Sequence, residues 1–257
     1  MTEQPNPLEQ HRAAMKSALD VGGGQAVIDY IEGFDSDPLR RVLYIASKQV
    51  LAPPDSQDKR LDDLITVSDA GIAEMLRQVD EASDDETRGQ CLQAAHIVSF
   101  NLAAELADCW PGDDLPRTNA HHARGTQAAV DCLLWSEVAG VPMPISNDYW
   151  VRGIHQLALG EAQAAIRSWT ASLEFAEADA ENQGESTNIG PNGTFAVILN
   201  SGYLGLARWV LGDEAGKSGY EAALEAFNAQ LEYAEKAEDA KLGIGQLEKT
   251  REQHGRS

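Results

Sequence analysis

Two stretches decide how this chain is read: Gly153-Ile154-His155-Gln156-Leu157-Ala158-Leu159-Gly160-Glu161-Ala162, and Gly205-Leu206-Ala207-Arg208-Trp209-Val210-Leu211-Gly212-Asp213-Glu214. Both glycines keep register at a step of 52 residues, with 205 − 153 and 212 − 160 each equal to 52. Each copy leads into a second amphipathic run. Ala165, Ile166, Trp169, Leu173 and Ala176 follow the first, and Ala223, Leu224, Phe227, Leu231 and Ala234 follow the second. Apolar residues three and four apart share one helix face, so each copy predicts a helical hairpin. A small residue midway along the first helix lets the second approach, and the glycine at its end supplies a left-handed cap that reverses the chain.

The series Gly153, Gly160, Ala165, Ile166, Trp169, Leu173 and its counterpart Gly205, Gly212, Ala223, Leu224, Phe227, Leu231 resemble the small, turn, small and bulky positions of tetratricopeptide repeats. The resemblance covers about residues 147–236 and departs from the family in three ways. The family period is about 34 residues, whereas here the acidic, Gly-rich segment Glu181 to Thr194 lengthens the step and Glu214 to Gly219 adds residues inside the second hairpin. Gln156 and Arg208 stand where the family prefers aromatic side chains. The resemblance implies an all-α fold of antiparallel helical hairpins, stacked as a short right-handed superhelix. Its groove would hold a protein or peptide, and Trp150, Arg152, Gln156, Asn200, Tyr203 and Arg208 are the first-helix residues expected to face that groove.

Helical periodicity extends upstream. Leu8 to Leu19 and Ala26 to Ile31 read as two helices separated by Gly22-Gly23-Gly24, a turn without the strand or spacing of a phosphate-binding loop. Leu39, Val42, Leu43, Ala46 and Val50 form a stripe, with Asp37 as the expected N-cap, Pro38 at the first helical position and Pro53-Pro54 as the stop. A stripe from Leu61 to Val79 breaks down in the acidic stretch Asp80 to Glu86. The next, Ala95 to Cys109, is closed by Trp110-Pro111-Gly112, and one starting near Asn119 stops at Gly140-Val141-Pro142. The expected organisation is an N-terminal helical region over 8–115, tetratricopeptide-like repeats over 118–240 and a flexible polar tail over 241–257.

Charge narrows the partners. Twenty Lys and Arg face 41 Asp and Glu, a formal charge of −21, which repels phosphate backbones and anionic headgroups. Nucleic acid and membrane are therefore not the expected partners. Met1 to Pro7 lacks the basic-then-apolar pattern of a signal peptide, and no apolar run approaches the ~20 residues that span a bilayer, so the expected location is cytoplasmic. Cys91, Cys109 and Cys132 lie within helical patterns and read as reduced core thiols, and without a secretory signal the triplet Asn192-Gly193-Thr194 reads as a coincidence.

Chemistry finds little purchase. His121-His122 is the one histidine pair in sequence, but adjacent helical residues point about 100° apart and no HxxxH or HExxH spacing accompanies them. His96 and His155 fall on amphipathic helices and read as hydrogen-bonded, half-buried imidazoles. The expected function is thus a protein-interaction module or scaffold rather than an enzyme, with no cofactor. A small-molecule or metal-dependent sensor or enzyme with a site near His121 and His122 is the first alternative. A structural subunit that assembles with its own copies is the second. The long loop Asn182 to Thr194 reads as a mobile linker.

Overall fold

A computed structural model of the protein describes residues 7–54 and 57–255; the leader-free reading of Met1 to Pro7 concerns residues that lie almost entirely outside these. Among the described residues there are ten α-helices and no strands, so the fold is all-α. Among these residues no helix is long and apolar enough to cross a membrane. The chain divides into two compact units, residues 1–106 and 107–257.

The first unit holds α1 (Pro7–Glu32), α2 (Asp37–Leu51), α3 (Leu61–Glu81) and α4 (Asp85–Leu106). The triple glycine turns out to be a kink within α1: Gly23 has φ +67, a conformation open to glycine at little cost. Two side chains of α3 and its entry hold it in place. The Gly24 amide donates to Asp63 Oδ1 at 2.6 Å, and Arg60 donates to the Leu19 carbonyl at 3.0 Å. Ser36 rather than Asp37 caps α2, its hydroxyl accepting from the Leu39 amide, so Asp37 and Pro38 both sit inside the first turn. Within this unit Glu74 accepts from Arg77 at 2.8 Å, Gln78 at 2.7 Å and Arg40 at 2.7 Å. The Arg77 bond above all holds its carboxyl down at about 2.

The second unit holds α5 (Asn119–Ala139), α6 (Pro142–Ala158), α7 (Ala162–Gln183), α8 (Phe195–Val210), α9 (Glu214–Gln230) and α10 (Ala237–His254). Helices α6 and α7 form one hairpin, α8 and α9 the next; α7 packs on α8, α5 on α6, and α10 on both α8 and α9. The turns reproduce the 52-residue register bond for bond. The Gly160 amide donates to the Leu157 carbonyl at 2.9 Å and the Glu161 amide to that of Gln156 at 2.8 Å; Gly212 donates to Trp209 at 2.8 Å and Asp213 to Arg208 at 3.1 Å. With φ of +79 at Gly160 and +89 at Gly212, this is the six-to-one closure of a Schellman turn, which glycine completes without a Cβ penalty. Midway along α6, a Cβ on Gly153 would fall 2.5 Å from the Trp169 ring, so the absent side chain is what admits the indole.

Two boundaries differ from the sequence reading. The first unit ends at Leu106, not near 115, because the segment 107–118 is bonded into the second unit: Arg117 pairs with Asp113 at 2.7 Å with both side chains buried, Lys249 donates to the Trp110 carbonyl at 3.1 Å, and Gln253 donates to that of Asp108 at 3.3 Å. The expected flexible tail over 241–257 is instead mostly α10. Its buried face is Ala240, Gly243, Gln246, Leu247 and Thr250, a helical stripe in which Leu247 is the one large apolar side chain.

The loop between α7 and α8 is tied down rather than free along its length. Gln230 Nε2 donates to the carbonyls of Gly193 at 2.8 Å and Pro191 at 3.2 Å, and Lys236 Nζ reaches the Pro191 carbonyl at 3.2 Å. Thr194 then caps α8. All three cysteines are free and buried, as expected of core thiols.

Candidate functional site

The first helices of successive hairpins, α6 and α8, together with α10, border a cleft of about 370 Å³, in the lower part of the ~300–1,000 Å³ range of ligand sites. Its apolar wall is Trp110, Trp150, Phe195, Leu199 and Leu242. Asn147, Asn200 and Gln246 supply uncharged polar groups, and the charged lining residues are Asp179 and Glu185.

Each wall is positioned by a specific bond. Helices α6 and α7 are locked by a reciprocal pair in which the Ser146 hydroxyl donates to the Ser172 carbonyl at 2.8 Å and the Ser172 hydroxyl to that of Ser146 at 2.7 Å. Asn200 Nδ2 joins this knot by donating to Ser146 Oγ at 3.4 Å. Lys249, through the Trp110 carbonyl, holds the Trp110 ring edge-on to Trp150, with centroids 5.8 Å apart at 71°. From α10, Gln246 Oε1 accepts from the Tyr203 hydroxyl at 3.3 Å. Two side chains of the cleft each carry a buried polar atom with no hydrogen-bond partner among the described residues: Trp150 Nε1, a donor, and Asn200 Oδ1, an acceptor. Such a group costs roughly 1–3 kcal/mol unless something satisfies it. A donor and an acceptor together suit a peptide unit, which presents both.

Of the residues singled out from the sequence, Trp150 and Asn200 meet in this cleft. Tyr203 is fully buried behind it, stacked on Trp169 with centroids 5.0 Å apart, and burial drives its phenol well above the ordinary range. Arg152 and Gln156 turn toward the hairpin partner. Arg152 Nε donates to Ser168 Oγ at 2.9 Å, and that hydroxyl donates to Gln156 Oε1 at 2.6 Å. The Arg152 guanidinium also lies 4.6 Å from the centroid of the Tyr149 ring. Arg208 is exposed near the end of α8, with its Cβ close against Gly216 of α9. The sequence reading passed over Trp110, taken as a helix stop, and Leu242 and Gln246, taken as tail. It also passed over Phe195, Asp179 and Glu185, for which only the helix boundaries gave a signal.

The His121-His122 pair separates by role. His121 completes a capping box at the start of α5: its amide donates to Thr118 Oγ1 at 3.2 Å while its Nδ1 accepts from the Thr118 amide at 3.3 Å. His122 is buried and points the other way, its Nδ1 3.1 Å from Nδ1 of the fully buried His155 on α6. Gly125 makes room for the His155 ring, since a Cβ there would lie 2.2 Å from Nε2. A hydrogen bond between two Nδ1 atoms requires one ring to carry the proton and the other to lack it. On its far side His122 Nε2 lies 3.6 Å from Asp108 Oδ2. Burial pushes His122 below its ordinary pKa; Asp108 opposes this, while His254, Arg117 and His121 reinforce it. His254 is likewise pushed down by burial, against the pull of Asp108. The two facing imidazoles offer half of the four ligands a structural zinc takes, and Asp108 sits beyond the opposite nitrogen of His122. The arrangement clasps α5 to α6 through one buried imidazole–imidazole hydrogen bond. No model of a known protein family matches the chain, and a search of curated proteins finds no match.

Proposed function

We propose that the protein is a cytoplasmic interaction module of the tetratricopeptide-repeat kind that seats an extended segment of a partner protein in the cleft bordered by α6, α8 and α10. The observation that carries this reading is the pair of unpartnered buried atoms, Trp150 Nε1 and Asn200 Oδ1, on side chains that line a cleft with an aromatic and aliphatic wall. Main-chain N–H and C=O groups of a bound peptide match both, and the apolar wall accommodates a side chain beside them. The repeated hairpin register supports the same reading, because stacked hairpins present their first helices along one side.

The test is panning of a displayed random heptapeptide library against the full chain, with the variant Leu242→Arg as counter-screen. Leu242 is 37% exposed on α10, so the substitution obstructs the cleft without disturbing the core. Peptides that bind the natural chain and are lost at least tenfold by Leu242→Arg are the expected result. If every recovered peptide bound the variant equally well, the cleft would not be the docking site.

A further inference from the structure

Resting on that reading, we infer that the cleft selects a cationic side chain: its partner segment carries a lysine or arginine beside an apolar residue. Charge is the first argument. Both charged residues in the lining are acidic, Asp179 from the last turns of α7 and Glu185 just after its Gly184 cap. Asp179 Oδ2 accepts from Gln183 at 2.6 Å, a neutral donor that leaves the carboxylate's charge in place. Two neighbouring basic groups are committed elsewhere. Lys249 spends its ammonium on the carbonyls of Trp110 and Asp113 and on Asp114, and Lys236 donates to the Pro191 carbonyl in an adjoining recess that also contains Asp239. An anionic ligand would meet repulsion from Asp179 and Glu185 and find no cation among the lining residues.

Aromatic geometry is the second argument. Trp110 and Trp150 stand edge to face, and Phe195 lines the same cleft. The face of an aromatic ring attracts a cation through its quadrupole, most strongly for tryptophan. Aromatic rings and carboxylates lining one cleft therefore favour an ammonium or guanidinium whose aliphatic stem packs on the apolar wall. The third argument is the Asn200 carbonyl oxygen on a side chain that lines the cleft, a buried acceptor without a hydrogen-bond partner among the described residues. At longer range the formal charge of −21 attracts basic partners before contact.

The experiment uses the cleft-dependent peptides from the panning. Enrichment of Lys or Arg next to Leu, Ile, Val, Phe or Met is expected. For one lysine peptide, replacing the lysine by norleucine, which keeps the stem and removes the charge, should weaken binding about fivefold or more, as measured by isothermal titration. The full chain carrying Asp179→Asn with Glu185→Gln should lose a similar factor for the lysine peptide and stay within twofold for the norleucine peptide, with an unchanged thermal melt. Cleft-dependent peptides without basic enrichment, or equal binding of lysine and norleucine forms, would overturn the cationic inference while leaving peptide docking intact. Absence of any cleft-dependent peptide would overturn both.

Discussion

Hairpin α6/α7 crosses through Gly153 against the ring of Trp169, whereas α8/α9 crosses through Gly205 against bare backbone. A Cβ on Gly205 would lie 2.5 Å from the Tyr220 nitrogen and 2.7 Å from the Gly216 carbonyl oxygen. The turns of the two hairpins are bonded alike, so the difference lies wholly in what the second helix offers. In α7 it offers an indole, buried and bonded from Nε1 to the Trp150 carbonyl at 3.1 Å. In α9 it offers Gly216 and Gly219, which bring the helices nearer and leave the aromatic residue for another use. Phe227 is that residue. It lies further along α9 and packs on Gly243 of α10, where a Cβ would come within 2.5 Å of the ring. The segment Glu214 to Gly219, read from the sequence as extra residues inside the hairpin, is thus the opening of α9 and the source of its close crossing. A ring that closes its own hairpin in the first repeat reaches the next helix in the second, and that helix carries Leu242 and Gln246 into the cleft.

The largest expected effects test this exchange of roles. Trp169→Ala and Phe227→Ala should each cost about 3–5 kcal/mol in urea unfolding, the usual range for emptying a buried aromatic site; both side chains are fully buried. They should differ in where the damage appears. Amide exchange should accelerate along α10 in Phe227→Ala and along α6 and α7 in Trp169→Ala. Equal acceleration of α10 in both variants would break the distinction.

Substitution at the crossings comes next. Overpacking costs typically 1–3 kcal/mol, offset in part by the roughly 1 kcal/mol that alanine gains over glycine inside a helix. Gly205→Ala should fall at the upper end, because the atoms it meets are backbone and the helices must part. Gly153→Ala should cost less, since the atoms it meets belong to the Trp169 side chain rather than to backbone. If Gly153→Ala proved the more damaging in thermal melts, the indole would be held more rigidly than the α9 backbone.

What the sequence revealed follows the same physics. Gly160 and Gly212 were legible because a left-handed cap restricts residue type, and Gly153 and Gly205 because a close crossing does. Proline and glycine likewise marked most helix ends. Helix α10 was hidden because its buried stripe carries Leu247 as its one large apolar side chain, the rest, Ala240, Gly243, Gln246 and Thr250, being small or polar. In the cleft, Trp150 and Asn200 could be picked out as first-helix residues. Arg152 and Gln156, four apart and so on one face, pointed instead to Ser168 of α7, a rotation that one-dimensional spacing does not give. The contact of His122 with His155 spans separate helices, so no local motif announced it, and adjacency drew attention to His121 instead.

The histidine clasp braces the first hairpin from the α5 side, and the second hairpin's Phe227–Gly243 contact does not titrate. Folding lowers the pKa values of His122 and His254 below the ordinary 6.5, so the unfolded chain binds more protons in the interval beneath that value. Stability from these groups is therefore complete above about pH 6.5 and is lost as pH falls through the native values. His122→Gln should flatten this part of the pH profile while costing about 1–3 kcal/mol at neutral pH, because His155 loses its imidazole partner. A profile between pH 7 and 5 as steep in the variant as in the natural chain would place the titrating groups elsewhere.

The smallest expected effect concerns the join between the hairpins. Gln230 is buried and its amide nitrogen is bonded to both Gly193 and Pro191, so one side chain of α9 fixes the loop that leads into Thr194 and the start of α8. Gln230→Ala removes a donor from two carbonyls, of which the Pro191 one keeps Lys236 Nζ. The expected loss is therefore only about 1 kcal/mol, the net value of an ordinary hydrogen bond. Its mark should be local: faster proteolysis between residues 184 and 194, with the exchange rates of α6 and α9 unchanged. Because Glu185 and Phe195 at the two ends of this loop line the cleft, the same variant should weaken cleft-dependent peptides by a small factor. Unaltered proteolysis with weakened peptide binding would separate the loop's anchoring from its part in the cleft.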